Sequence, residues 1–153
     1  MFSLLNSILF ILMTRKNIPF DFVFDYLMPL DVTVKPMFGL WAIYMNEKIM
    51  LILRQRNDHP ETNGVWIATN REHHKSLRSD LPSLHSISAY SKDTVETEWQ
   101  MIPVDKDDFE ASVRKVCELI KHGDHRIGRI SQSRQSKAKT KSKSFANAKK
   151  HGG

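Results

Sequence analysis

Cysteine is almost missing from this chain: one residue, Cys117, among 153. A single thiol closes no internal disulfide, so a reducing, cytoplasmic setting is the simplest expectation. Glycine is scarce too, six in all, and none cluster ahead of a helix. A phosphate cradle needs such a cluster, so none is expected. There is no Cys-x-x-Cys pair to frame a zinc site and no Gly-x-Ser-x-Gly elbow to raise a nucleophile. The apolar run Met1–Met13 is shorter than the ~20 residues a membrane span needs. The basic pair Arg15-Lys16 follows this run, the reverse of a secretory signal. Residues 1–12 therefore read as an extension upstream of a start at Met13, with a short docking helix or an anchor as alternatives. Acid is absent from one whole region: residues 126–153 hold nine Lys and Arg and no Asp or Glu.

That last absence explains the net charge. The chain is +6, yet residues 1–125 carry fourteen Lys and Arg against all seventeen Asp and Glu, a net −3. The body is mildly acidic, and the basic character comes from the tail. With 41% hydrophobic and 26% charged residues, residues 13–125 suit one packed domain. A chain of this size buries roughly 65% of its unfolded surface. The tail 126–153 lacks the apolar content to offset its ordering entropy and is expected to be disordered alone.

Hydrophobic periodicity outlines the body. Phe20, Val23, Phe24 and Leu27 recur at helical spacing, predicting a helix over 19–28 with Pro19 in its first turn and Pro29 after it. Strands are expected at 32–37, 40–45 and 48–54, the last two joined by a short hairpin at Asn46-Glu47. Residues 55–64 carry turn chemistry and read as a polar loop. A short strand over 65–68 leads into a helix through Ser79, opened by a capping box at Thr69–Glu72 and stopped by Pro82. Two strands follow, 85–90 and 98–104. Pro103 places the second near a sheet edge. The strongest helix begins at Asp105, with Phe109, Val113, Val116, Cys117 and Ile120 on one stripe and Gly123 as its left-handed cap. The expected class is α+β: two layers, an antiparallel sheet of five or six strands with helices packed on one face.

Between the first two strands lies Lys35-Pro36-Met37-Phe38-Gly39, running into Leu40-Trp41-Ala42-Ile43-Tyr44. Pro36 fixes φ and Gly39 tolerates positive φ, so a bend falls here. The word Met37-Phe38-Gly39 with Tyr44, and the later strand Trp99–Pro103 before a closing helix, resemble the TfoX N-terminal domain family over about residues 20–122. The resemblance implies a two-layer sheet with helices, no catalytic residues, and regulatory action by contact with a protein or nucleic acid. Met37, Phe38, Gly39 and Tyr44 are its motif positions; the expectation is that they form the bend and part of the core, the alternative a ligand-facing corner.

Other chemistry-bearing residues have weaker patterns. His59, His73 and His74 lie near Asp58, Glu61 and Glu72, but adjacent histidines on a helix point about 100° apart and pair poorly on a metal. No metal or cofactor is expected. Asp58, His59 and Glu61 could serve acid–base work in the polar loop, and Arg54 and Arg56 could hold an anion, though a solvated loop is the plainer expectation. Cys117, on the apolar stripe, should be inert. In the tail, Arg126, Arg129, Arg134, Lys137, Lys139, Lys141, Lys143, Lys149 and Lys150 are spaced to neutralise phosphates without reading sequence, or simply to solubilise. The sequence thus points to a small non-enzymatic interaction domain with an unidentified protein partner. A nucleic-acid-associated protein is the alternative, and an enzyme using the 55–64 loop a more distant one.

Overall fold

The fold is taken from a computed structural model, which describes residues 17–87 and 98–130. In chain order the elements are α1 (Phe22–Leu27), β1 (Thr33–Met37), β2 (Leu40–Met45), β3 (Lys48–Arg54), a 3-10 turn (Pro60–Thr62) and β4 (Gly64–Ile67). They continue as α2 (Arg71–Asp80), β5 (His85–Ser86), β6 (Gln100–Pro103), α3 (Phe109–Lys121) and β7 (Arg129–Ile130). The strands form one antiparallel sheet in the order β1-β2-β3-β4-β6-β5, with β7 also pairing β3. This is the α+β class expected, with a seventh strand.

Two apolar clusters sit on the two sides of the sheet. The larger joins Val34, Ile43, Leu51, Leu53, Val65, Ile67 and Ile102 to side chains of all three helices. Val23 and Leu27 come from α1, Leu77 from α2, and Val113, Val116, Cys117 and Ile120 from α3. The smaller cluster is Ala42, Ile52, Trp66, Ile87 and Met101. Alternation along β2 divides them, as a half-buried pleat requires. The apolar run 49–53 has a specific cause. Ile43 pairs with Leu51 but Tyr44 pairs with Ile49, so Met50 is the extra residue of a bulge. The bulge turns Met50 to the same side as Leu51 and leaves Ile49 beside the smaller cluster.

Local expectations fail where packing wins. α1 begins at Phe22 rather than residue 19, because Phe20 takes φ +55 and packs edge-on against Phe109 with ring centroids 5.0 Å apart. The capping box at Thr69–Glu72 does not form: Asn70 is the N-cap residue, in extended conformation with no side-chain cap bond, and the helix runs one residue past Ser79 to Asp80. α3 starts at Phe109, since Asp105–Asp108 form turns closed by Lys106 N–H on Pro103 O and Phe109 N–H on Lys106 O. Its far end is as expected. Gly123 sits at φ +72 and donates to Ile120 O, while Asp124 N–H reaches Leu119 O, the paired bonds of a Schellman cap.

The expected edge position of the 98–104 strand holds only in part. β6 lies inside the sheet, between β4 and the two-residue β5. Val104 N–H bonds to Asn63 O on the β4 side. By alternation the Pro103 nitrogen points the other way, beyond the end of β5, which pairs only Met101 and Gln100. Of the expected 85–90 strand, 85–86 is observed and 88–90 lies outside the described residues, as do 1–16. Among the described residues no helix is long and apolar enough to cross a membrane.

The folded body passes the expected boundary at residue 125. Lys48 pairs with Ile130 and Ile49 with Arg129, in the strip of β3 beyond the end of β4. Gly128 N–H bonds to Ala68 O at 2.7 Å and Ala68 N–H to Met50 O at 3.0 Å, so the returning segment continues the ladder that β4 leaves. Ile127 is buried beneath it.

Candidate binding site at the hairpin tip

The sequence corner Met37-Phe38-Gly39 is the tip of the β1–β2 hairpin. Met37 pairs with Leu40, so Phe38 and Gly39 are its two loop residues. Their φ values are +51 and +80, both positive as a type I′ turn demands. Asn-Gly is the favoured pair for that turn; here a phenylalanine takes the first position. The expectation that the corner contributes to the core fails at this residue, because the Phe38 side chain is 95% exposed. Bend and core separate at this point: the turn geometry aims its first side chain outward, while Met37 and Tyr44 behind it pack, half-buried, on the smaller cluster.

The tip is braced from the 55–63 loop. A Cβ placed on Gly39 would lie 1.9 Å from an Arg56 guanidinium nitrogen, so only glycine admits this contact. The same Arg56 group donates to Phe38 O at 3.3 Å, and its Nε donates to Asp58 at 2.7 Å. The Arg56 bond holds the Asp58 carboxyl below the usual carboxylate range. Beneath lies Arg54, 1% exposed. It donates to Asn63 Oδ1 at 2.6 Å, to His59 O at 3.1 Å and to Asp58 O at 2.8 Å, and its buried Nε has no partner. Asn63 closes the loop by accepting from Arg56 N–H and donating to Arg56 O. Trp66 Nε1 donates to Thr62 O at 2.9 Å, tying the 3-10 turn to β4.

Beside the tip a groove of about 370 Å³ opens between Asn17, Ile18, Pro19, Gly39, Trp41 and Gln55. That volume lies within the range of small-ligand clefts. Its walls pair two primary amides with a half-buried indole. A second concavity, about 530 Å³, lies on the outer face of α3 beside Tyr26, Arg114 and Glu118.

The remaining candidates are scattered. His59 is exposed and 3.5 Å from Glu61. His73 is 3.5 Å from Glu72, and its ring meets His125 edge-on at 5.2 Å. His74 is buried with Nε2 2.8 Å from Glu98 O. Among the described residues no group of three or more His, Cys, Asp or Glu could hold a metal ion. Cys117 is fully buried, and burial pushes its thiol up to about 12.

Two of the nine cations of the basic region lie in the described body, and both carry carboxylate partners. Arg126 bonds Asp80 at 2.8 Å and Asp124 at 2.7 Å, and its hydrogen bond lowers the Asp124 carboxyl to about 2. Arg129 pairs with Glu98. Arg134, Lys137, Lys139, Lys141, Lys143, Lys149 and Lys150 lie outside the described residues. Sequence reasoning missed the groove, because Asn17, Trp41 and Gln55 are far apart in the chain. It also missed Arg54 as the hub of the loop. The signal there was a charged residue ending the apolar run Met50–Leu53 next to turn-rich sequence. No family model matches the chain, and neither does any curated protein or solved structure.

Proposed function

We propose that this chain is a small non-catalytic interaction domain, similar to TfoX N-terminal domains, that acts by binding a macromolecule through its β1–β2 hairpin tip. One observation carries the reading: Phe38 is a bulky side chain in left-handed backbone, 95% exposed, on a tip held in place by Arg56. Such a residue costs stability in backbone strain and recovers almost none of it by burial. Strain of this kind concentrates where a side chain must be presented. The buried, high-pKa Cys117 and the dispersed histidines favour binding over catalysis in this reading. A reducing cytoplasmic setting and a regulatory role belong to the same proposal.

The test is affinity capture with the immobilised full chain and its Phe38→Asn variant. Partners retained by the wild type and lost by the variant support the reading. Identical captures by both remove the tip from the function.

A further inference from the structure

The geometry points to a specific occupant for the hairpin tip and its groove: an unpaired stretch of single-stranded nucleic acid. This rests on the tip being the binding element, and it names the chemistry that element takes. Three features converge. Phe38 offers an unobstructed aromatic face at the tip, and bases stack on such faces without sequence preference. Next to it, the groove sets Trp41 among Asn17 and Gln55. A primary amide carries donors and an acceptor in one plane, the complement of a base edge. An indole supplies a second stacking surface, and about 370 Å³ leaves room for one base drawn out of a strand.

Charge completes the match. Arg56 is 40% exposed at its side chain and borders the groove through its contact with Gly39. Beyond Ile130 the chain holds seven Lys and Arg and no Asp or Glu, in 23 residues. Ile130, the last of the described residues, pairs with Lys48 at the β2–β3 end of the sheet, while the tip lies at the other end of β2. Six residues of strand, about 20 Å, separate the two ends. A duplex fits poorly, because its bases are stacked on each other and closed to Phe38. The exposed ring, with the Arg56 guanidinium bonded to the carbonyl of the same residue, suits a base better than the apolar core of a protein interface.

The experiment measures fluorescence anisotropy of labelled oligothymidylate of about 15 nucleotides, and of a duplex of equal length, against the full chain. Phe38→Asn and Gln55→Ala are the variants; both positions are exposed, and native folding is verified by near-ultraviolet circular dichroism. The expected result is tighter binding of the single strand than of the duplex. Phe38→Asn should weaken single-strand binding at least ~5-fold, the low end for one stacked base. The salt slope should stay unchanged, because no phosphate contact is removed. Gln55→Ala should weaken it less, and neither variant should alter duplex binding. Equal affinity for duplex and single strand, indifferent to Phe38, would mean that the cations act alone and would overturn the inference. If no oligonucleotide binds while Phe38→Asn still abolishes capture of a protein, the nucleic-acid assignment falls and the tip as binding element stands. If Phe38→Asn changes neither, both fall.

Discussion

Replacing Phe38 by asparagine should make this protein more stable. The ring is 95% exposed, so about 5% of a side chain of roughly 200 Å² is forfeited, near 10 Å² and about 0.25 kcal/mol. Against this stands the backbone. Left-handed conformation costs an ordinary residue roughly 1–2 kcal/mol, and asparagine much less, because its short amide bonds locally. Asn-Gly is also the preferred pair for a type I′ hairpin. The net gain is ~0.5–1 kcal/mol. With a urea m-value of ~2 kcal/mol/M, the midpoint of unfolding should rise by ~0.3–0.5 M at constant m. Phe38→Leu is the control: leucine has no side-chain amide to ease the left-handed backbone, so its midpoint should stay close to that of the wild type. A midpoint that falls in Phe38→Asn would refute the reasoning, since it would mean the ring holds the tip together. A variant that folds better and binds worse is the signature of a residue kept for contact, a common form of trade between stability and function.

Gly39→Ala should destabilise by ~1–2 kcal/mol, because it combines positive φ with displacement of Arg56; urea unfolding measures it, and rescue by Arg56→Ala would confirm the clash. Arg54→Leu should cost about 3 kcal/mol by the same assay, since it removes three bonds from a buried guanidinium and takes the donor from Asp58 O, while His59 O keeps Thr62 and Asn63 Oδ1 keeps the Arg56 N–H. The Asp124 carboxyl, lowered from 3.8 to about 2 by Arg126, stabilises the fold fully above pH ~4, and this is lost as pH falls through 2. The full shift would equal ~2.4 kcal/mol; solvent screening of the partly open pair brings it nearer ~1 kcal/mol. Arg126→Met should abolish that pH-dependent part of stability between pH 4 and 2, followed by thermal melts. Cys117 should resist thiol reagents at pH 8 in the folded chain and react at once in denaturant, as its burial and raised pKa require.

Much of this architecture can be read from the chain, and the unreadable parts have physical causes. The stripe Phe109–Ile120 and the Gly123 cap announce α3 because local periodicity and local backbone chemistry agree there. The β2 and β3 boundaries follow for the same reason. At Phe38 they disagree: its chemistry argues for burial, while the two-residue hairpin aims it outward, and register decides. Phe20 is a second conflict, won by its packing on Phe109 over helical spacing. β7 has two residues, too few for any pattern, and exists because β4 ends and leaves part of β3 uncovered. For the candidate site, the corner was legible as a bend, whereas the groove depends on residues 17, 41 and 55 meeting in space.

That returning strand sets where the polypeptide can be cut. A truncation after residue 125, where composition changes, would strip the Lys48–Ile49 stretch of β3 of its paired neighbour and bare a raw edge ready to recruit another molecule's strand. It would also orphan the carboxylates of Asp80 and Asp124 by taking Arg126 with it. A shortened protein that clumps after such a cut would report a torn seam, not the loss of a cationic appendage; the scissors belong beyond Ile130.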